Sequence, residues 1–197
     1  MSFSNEWEDI YQQNAHMSVW PWSDLVSLVM QHKPEKSNFK VLELGCGAGA
    51  NIPLFASLGA NYYAVDGSET VVNKLHKTYP QFSEHIYVGD FTKDIPSENF
   101  DLIVDRASLT CNSTTSIIQC LSKCHKQLVA GGKFIGSDWY STEYSDYIKG
   151  EQAEDVWTRK NFIDGSFKGT GSVHFSDKNH LLELFEQFKV LSMAHKT

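Results

Sequence analysis

The chain has 197 residues, which suits one domain with a substantial core. Its apolar content of 41% and charged content of 21% are ordinary for a globular protein. The formal charge is −7 and the lysines are scattered, so the basic stripe typical of nucleic-acid binders is missing. No apolar run approaches the roughly 20 residues that span a bilayer. The composition therefore favours a small-molecule ligand and predicts no nucleic-acid or membrane partner.

The amino-terminal residues and the cysteines indicate the compartment. Residues 1–6 lack the basic and apolar regions of a signal peptide. Cysteine occurs at four positions, Cys46, Cys111, Cys120 and Cys124, none of which form a C-x-x-C pair. This pattern predicts a cytoplasmic protein with reduced thiols and no metal site, and it leaves the oligomeric state open.

Residues 1–36 precede the first predicted strand and favour two helices. Apolar spacing predicts the first helix over residues 6–11, and Ser23 is a suitable cap for the second. This segment has two interpretations. It is a helical pair packed on a sheet, or a lid over a ligand site in which Tyr11 and His16 face the ligand.

The most informative stretch is the predicted strand Val41–Leu44 followed by a glycine-rich turn. Glycines stand at Gly45, Gly47 and Gly49, with Cys46 between the first two, and Asn51 is a suitable cap for the next helix. A strand that ends in alternate glycines and gives way to a helix is typical of a nucleotide-binding turn. Glu43 places an acid two residues before the first glycine, which favours a cationic ligand.

This segment resembles motif I of the class I S-adenosylmethionine-dependent methyltransferases, in which a hydrophobic strand and an acid precede G-x-G-x-G. The resemblance is strong over about residues 39–139, and it implies an α/β fold with a doubly wound, mostly parallel sheet and helices on both faces. It also implies S-adenosylmethionine as the cofactor, held by a core of residues 37–139. The spacing Gly45-x-Gly47-x-x-Ala50 also satisfies the looser dinucleotide fingerprint, so that alternative stays open.

Two further predicted strands end in acids. Residues 61–66 form a strand closing on Asp66, whose carboxylate suits ribose hydroxyls, with Gly67 and Ser68 beside it. Residues 85–91 form a strand ending in Asp90 and Phe91, where the resemblance implies contacts with the adenine amino group and ring. The alternatives are a solvent-exposed acid for Asp66 and a turn residue for Asp90.

The fourth predicted strand, residues 100–105, delivers Asp105 and Arg106 to the ligand crevice. We expect both residues to lie near the reacting methyl of the cofactor, with Asp105 facing its methionine end. Arg106 also suits a carboxylate or phosphate on the acceptor, with a structural ion pair as the alternative. The fifth strand covers residues 133–139, and Trp139 and Tyr140 at its exit are further acceptor-site candidates. His16 and Asp105 are possible catalytic bases, but neither is assigned that role.

The rest of the chain breaks the strand–helix alternation. Residues 140–172 are polar and aromatic and read either as an insertion that shapes the acceptor pocket or as a surface excursion with some helix at 151–160. In residues 173–197, Ser176 is predicted to cap a helix that leads to a last strand near 189–191. Only six strands are then readable, and the seventh that the resemblance implies is missing from this single domain of residues 1–197.

The function expected from the sequence is methyl transfer from S-adenosylmethionine to a small molecule of unknown identity. Two rivals remain. The first is a nicotinamide-dependent oxidoreductase, which Glu43 and the lack of a Tyr-x-x-x-Lys pair disfavour. The second is a non-catalytic S-adenosylmethionine-binding protein, which the missing strand makes more plausible.

Overall fold

A computed structural model describes residues 5–196. The six helices of this range are α1 (Asn5–Gln12), α2 (Ser23–His32), α3 (Ile52–Ser57), α4 (Glu69–Thr78), α5 (Thr114–Gln127) and α6 (Lys178–Leu184). The first five strands are β1 (Lys40–Leu44), β2 (Asn61–Asp66), β3 (Ile86–Val88), β4 (Phe100–Arg106) and β5 (Leu128–Ser137). Four short strands follow, namely β6 (Tyr140–Ser141), β7 (Glu151–Gln152), β8 (Thr158–Lys160) and β9 (Val173–Ser176). The first four residues of the predicted lid segment lie outside the described range.

The main sheet is parallel throughout and has the strand order β3-β2-β1-β4-β5. Strands β2 and β3 lie on one side of β1, whereas β4 and β5 lie on its other side. The strand order therefore reverses between β1 and β4. In open parallel sheets a ligand crevice lies beyond the carboxyl ends of the strands at this reversal. The predicted doubly wound α/β fold is therefore confirmed, and the reversal marks where to look for a site.

Helices cover both faces of this sheet. Alternate strand residues point to opposite faces, so Val41 joins one apolar cluster and Leu42 joins the other. The first cluster includes Leu25 of α2, Phe55 of α3 and Leu75 of α4. The second includes residues of α5 and α6. Buried strands with apolar side chains on both faces explain why the sequence reads as nearly continuous hydrophobic runs.

The carboxyl-terminal third differs from the sequence-based expectation. No strand forms at residues 189–191, where Val190 and Leu191 are exposed, so the prediction of a sixth main-sheet strand is wrong. Instead β6 to β9 form a separate sheet in the order β6-β9-β8-β7. Residues 151–160 contribute the antiparallel pair β7–β8 rather than the helix considered for this segment.

This second sheet has its own apolar core of Phe162, Phe167, Val173 and Phe175. The cap of α6 is Asp177, whose side chain accepts a hydrogen bond from the backbone N–H of His180 at 2.8 Å, so the prediction of Ser176 as the cap is off by one residue. The insertion thus belongs to a small packed unit that continues into β9 and α6.

Three general features concern residues 5–196. No helix there is long and apolar enough to cross a membrane. The four cysteines are free thiols. No group of three or more histidine, cysteine, aspartate or glutamate side chains in this range is arranged to hold a metal ion.

Candidate active site

A cavity of about 360 Å³ opens at the carboxyl ends of β1 and β4, where the strand order reverses. That volume lies within the usual range for small-molecule sites. Three segments form its walls: the glycine turn after β1, the exits of β2, β3 and β4, and the amino-terminal helix with the loop that follows it. The predicted site residues that line it are Tyr11, His16, Glu43, Gly45, Cys46, Gly47, Asn51, Asp66, Gly67, Asp90, Phe91 and Arg106. Gly49, Ser68, Asp105, Trp139 and Tyr140 do not line it.

The glycine turn is shaped by close approach of the backbone to its neighbours. Gly45 has φ +64°, and a Cβ there would lie 2.3 Å from the Cβ of Ser108. Gly47 has φ +49°, and a Cβ there would lie 2.8 Å from the hydroxyl of Tyr11. Both positions therefore need glycine for conformation and for space. Gly49 is packed against the apolar core beneath the turn rather than against the cavity.

Glu43 is buried in the cavity wall and is 2% exposed. Its carboxylate accepts hydrogen bonds from the hydroxyl of Tyr62 at 2.6 Å and from the side-chain amide of Asn51 at 2.7 Å. Burial raises the pKa of Glu43 to about 7, although these two hydrogen bonds oppose the rise. Asn51 occupies the predicted N-cap position of α3, but its side chain makes no capping bond there and its amide donates to Glu43 instead.

Asp66 is held by backbone donors at the end of β2. The N–H of Gly47 donates to one oxygen at 2.8 Å and the N–H of Ser68 donates to the other at 2.9 Å. Each carboxylate oxygen can accept a further bond, so the group retains capacity for a ligand hydroxyl. Burial raises its pKa to about 6. Ser68 itself is fully buried and caps α4, which corrects its prediction as a ligand contact.

Asp90 and Phe91 lie at the exit of β3. One oxygen of Asp90 accepts bonds from the backbone and hydroxyl of Thr92, and the other lies 3.0 Å from the ammonium of Lys93. The Phe91 ring is 8% exposed and reaches towards Gly45. Together the two side chains close the end of the cavity beyond β2.

Helix α1 covers the cavity on the side opposite the sheet. Its Glu8 carboxylate accepts hydrogen bonds from the hydroxyls of Ser68 and Thr70, at the amino-terminal end of α4. A negative side chain is favourable there because the first N–H groups of a helix carry partial positive charge. Tyr11 of the same helix lies over Gly47, and burial raises the pKa of its hydroxyl.

Asp105 does not face the cavity. One of its oxygens accepts bonds from the backbone N–H groups of Ser108 and Leu109, and the other accepts the indole N–H of Trp139 at 2.7 Å. It is fully buried, so the expectation that it faces the cofactor is wrong. The same bond explains why Trp139, predicted as an acceptor contact, points inward and packs on Phe185.

Arg106 does reach the cavity and is fixed on two sides. Its Nε atom lies 2.8 Å from a carboxylate oxygen of Asp138, and its guanidinium carbon lies 3.6 Å from the ring centroid of Trp22. Tyr140, the remaining predicted acceptor contact, instead packs on Phe167 and Phe175 in the core of the second sheet. Residues 140–172 contribute nothing to the cavity lining, which favours the surface excursion among the two interpretations of this insertion.

Several lining residues escaped prediction. They belong to the amino-terminal segment and to the exit of β4, and they include Trp7, Met17, Ser18, Trp22, Ala107, Ser108, Cys111 and Asn112. The exit turn begins with Ala107 at φ +56°, a conformation that alanine adopts rarely and that no sequence motif announces. The clustering of tryptophans in the first 22 residues was the one available signal for the lid.

Comparison with known proteins agrees with this geometry. Residues 42–136 match the family model of a methyltransferase domain. The chain is also 27% identical over 170 residues to a phosphoethanolamine N-methyltransferase of Plasmodium falciparum (isolate 3D7). That match covers 77% of this chain, and it spans 62% of the length of the relative.

Solved structures share the fold at low identity. The N-methyltransferase NodS of Bradyrhizobium japonicum WM9, crystallised with S-adenosyl-L-homocysteine, is 19% identical with a TM-score of 0.55, covering 68% of this chain and 72% of that one. A Rhodobacter sphaeroides protein that carries the name of a zinc-dependent alcohol dehydrogenase is 13% identical with a TM-score of 0.65, covering 93% and 86%. At these identities the likeness shows the fold alone.

The family assignment therefore depends on the matched core. That core contains the strand–glycine turn of β1, the acid ending β2 and the exit of β4, and all three meet at the cavity. The parallel sheet with helices on both faces is the fold that the resemblance implied. Residues 42–136 therefore form a methyltransferase domain, and the fold around them is that of the class I S-adenosylmethionine-dependent methyltransferases.

Proposed function

We propose that this protein transfers a methyl group from S-adenosylmethionine to a small-molecule acceptor. The observation that carries the proposal is the charge of the cavity at the β1–β4 reversal. Glu43, Asp66 and Asp90 line it, while Arg106 is its single lysine or arginine within residues 5–196. An acidic wall beside a glycine turn suits a ligand with a cationic sulfur and an ammonium group.

The lining residues fit the cofactor in distinct ways. Asp66 retains acceptor capacity for the two ribose hydroxyls, and Asp90 with Phe91 suits the adenine amino group and ring. The turn at Gly45 and Gly47 carries no side chains, so the amino-acid portion of the cofactor can approach its backbone. Side chains at these two positions would also collide with Ser108 and Tyr11. When bound, the cofactor supplies an electrophilic methyl group on a sulfonium.

The protein's own contribution is alignment of the two reactants. The attacking lone pair must approach the methyl carbon opposite the sulfur, and holding it there accounts for about 7–11 kcal/mol of a barrier in favourable cases. Helix α1 and the loop to Trp22 line one side of the cavity, where a closed lid would limit the access of water to the reactants. His16 lies in that loop and lines the cavity, and we assign no catalytic base.

A panel of candidate acceptors tests the proposal. It contains phosphoethanolamine, which is the substrate in the name of the relative from Plasmodium falciparum, together with other amines, carboxylic acids and phenols. The purified protein is incubated with S-adenosylmethionine and each compound, and mass spectrometry follows S-adenosylhomocysteine together with an acceptor heavier by one methylene unit. The Asp66→Ala variant serves as the matched control for turnover that depends on the cavity.

Acceptor-dependent formation of S-adenosylhomocysteine by the wild type, absent in Asp66→Ala, supports the proposal. If S-adenosylmethionine binds in the cavity but no compound of the panel is methylated, the non-catalytic binding alternative takes its place. Tight binding of NADH without any response to S-adenosylmethionine would instead favour the oxidoreductase alternative.

A further inference from the structure

The positive charge of the cavity comes from one arginine that is already partly compensated. Within residues 5–196, Arg106 is the one lysine or arginine lining the cavity. Asp138 lies 2.8 Å from its Nε atom, so the pair is close to neutral before any ligand arrives. Glu43, Asp66 and Asp90 line other parts of the same cavity, which therefore has an excess of acidic groups.

The guanidinium of Arg106 is held in a defined orientation. An oxygen of Asp138 lies 2.8 Å from its Nε atom as an ion pair without hydrogen-bond geometry, and the Trp22 ring stacks against its face with 3.6 Å between the guanidinium carbon and the ring centroid. The remaining edge, formed by the two Nη atoms, makes no hydrogen bond to the described residues. Two parallel N–H donors on a fixed plane match the two oxygens of a carboxylate.

The backbone around this pair is strained on both sides. Ala107, which follows Arg106 at the exit of β4, has φ +56°, and Asp138, which follows β5, also has φ +56°. The two exits are joined by a hydrogen bond from the Ala107 N–H to the Ser137 carbonyl at 3.0 Å. Non-glycine residues are seldom held in this region, and such strain clusters at ligand sites.

A second donor lies on the side of the cavity that α1 and the loop to Trp22 line. The indole N–H of Trp7 is buried and meets the sulfur of Cys111, but no oxygen or nitrogen acceptor, among residues 5–196. It lines the cavity together with Trp22 and the Met17 thioether. An oxygen-bearing ligand with an apolar body would satisfy this donor and fill the space between the aromatic rings.

We propose that the acceptor is a carboxylic acid whose carboxylate binds the free Nη edge of Arg106, and that phosphate monoesters are disfavoured. A carboxylate adds one negative charge to this cavity and a phosphate dianion adds two, so the three acids that line the cavity disfavour the dianion more strongly. The inference rests on the proposed methyl transfer and names its substrate class.

Binding to the cofactor-product complex tests this inference without turnover. The protein is saturated with S-adenosylhomocysteine, and benzoate and phenyl phosphate are titrated separately by calorimetry. We expect benzoate to bind more tightly than phenyl phosphate. In Arg106→Gln, benzoate affinity should fall about tenfold or more, because a charge-assisted bidentate contact is lost. Arg106→Lys, which retains the charge without the planar pair of donors, should show an intermediate loss.

Two further variants sharpen the test. Arg159 is the other arginine of the chain and stacks on Tyr147 outside the cavity, so Arg159→Gln should leave benzoate affinity unchanged. Asp138→Asn removes the compensating charge from Arg106. It should therefore shift the preference towards phenyl phosphate, a gain that a folding defect would not produce.

The outcomes separate the two proposals. If S-adenosylhomocysteine does not bind, the proposed function fails and this inference fails with it. If S-adenosylhomocysteine binds normally but wild type prefers phenyl phosphate, or Arg106→Gln binds benzoate as well as wild type does, this inference alone is overturned. In that case Arg106 is a structural contact between β4, β5 and the lid.

Discussion

The hydroxyl of Tyr62 donates a hydrogen bond of 2.6 Å to the carboxylate of Glu43 inside the wall of the cavity. Tyr62 belongs to β2 and Glu43 to the neighbouring β1, so the pairing of the two strands sets this contact. Burial raises the pKa of Glu43 to about 7, which makes the charge of the cavity dependent on pH near neutrality.

This pKa predicts how the protein distinguishes cofactor from product. S-adenosylmethionine carries one more positive charge than S-adenosylhomocysteine, so ionised Glu43 should favour the former. As pH rises from about 5.5 to 8, the ratio of the dissociation constants of product and cofactor should therefore increase. Calorimetry at several pH values measures it. In Glu43→Gln the increase should shrink, and an unchanged pH profile in that variant would contradict the assignment.

The same carboxyl group affects stability in the absence of ligand. The folded-state pKa of Glu43 is raised from the ordinary 4.5 to about 7, so the folded chain binds more protons than the unfolded chain between these values. Its contribution to the free energy of unfolding is therefore lost as pH rises through that window. Glu43→Gln should flatten this part of the thermal stability profile, measured by melting temperature without cofactor.

Asp66 provides the most direct test of the cofactor site. Replacing Asp66 by Ala should weaken S-adenosylhomocysteine binding by about 1–3 kcal/mol, the usual cost of losing a charged hydrogen-bond partner. Part of this loss reflects the Gly47 and Ser68 N–H groups that the carboxylate now satisfies. Asp94→Ala, at an exposed position outside the cavity, is the control. Equal affinity of the two variants would exclude Asp66 as a ribose ligand.

The contact between Gly47 and Tyr11 predicts a steric effect on the lid. In Gly47→Ala the new methyl group would lie 2.8 Å from the Tyr11 hydroxyl, so α1 should be displaced and cofactor affinity should fall. Adding Tyr11→Phe should recover part of that affinity. Gly59→Ala has a similar backbone cost at φ +64° but meets no atom within 4 Å, so it should lose stability without losing affinity. Equal affinity losses in Gly47→Ala and Gly59→Ala would refute the steric explanation.

Glu8 should control the mobility of the lid. Its carboxylate joins α1 to the start of α4 through the hydroxyls of Ser68 and Thr70. In Glu8→Ala we expect faster amide hydrogen exchange in residues 5–16 and faster release of S-adenosylhomocysteine. Asp9→Ala, an exposed neighbour on the same helix, should change neither rate. Unaltered exchange in Glu8→Ala would mean that other contacts hold α1 in place.

Local sequence patterns determined the core of the fold. The first five strands and the glycine turn were predictable because apolar runs and turn residues are properties of neighbouring positions. The strand predicted at residues 189–191 was wrong because that prediction also used only neighbouring positions in the chain. Val190 and Leu191 are apolar, but no sheet edge accepts them and they remain exposed.

The contacts around Arg106 in the site were decided by the tertiary structure. Trp22, Arg106 and Asp138 are far apart in the chain, and their contact depends on how the lid and the exits of β4 and β5 come together. Asp105 precedes Arg106 at the end of the same strand but turns inward to bind Trp139, because side chains alternate between the two faces of a strand. The residues of the glycine turn can thus be predicted from the sequence itself. The choice of which strand-end side chains reach the ligand depends on the direction of each side chain and on partners that only folding brings close.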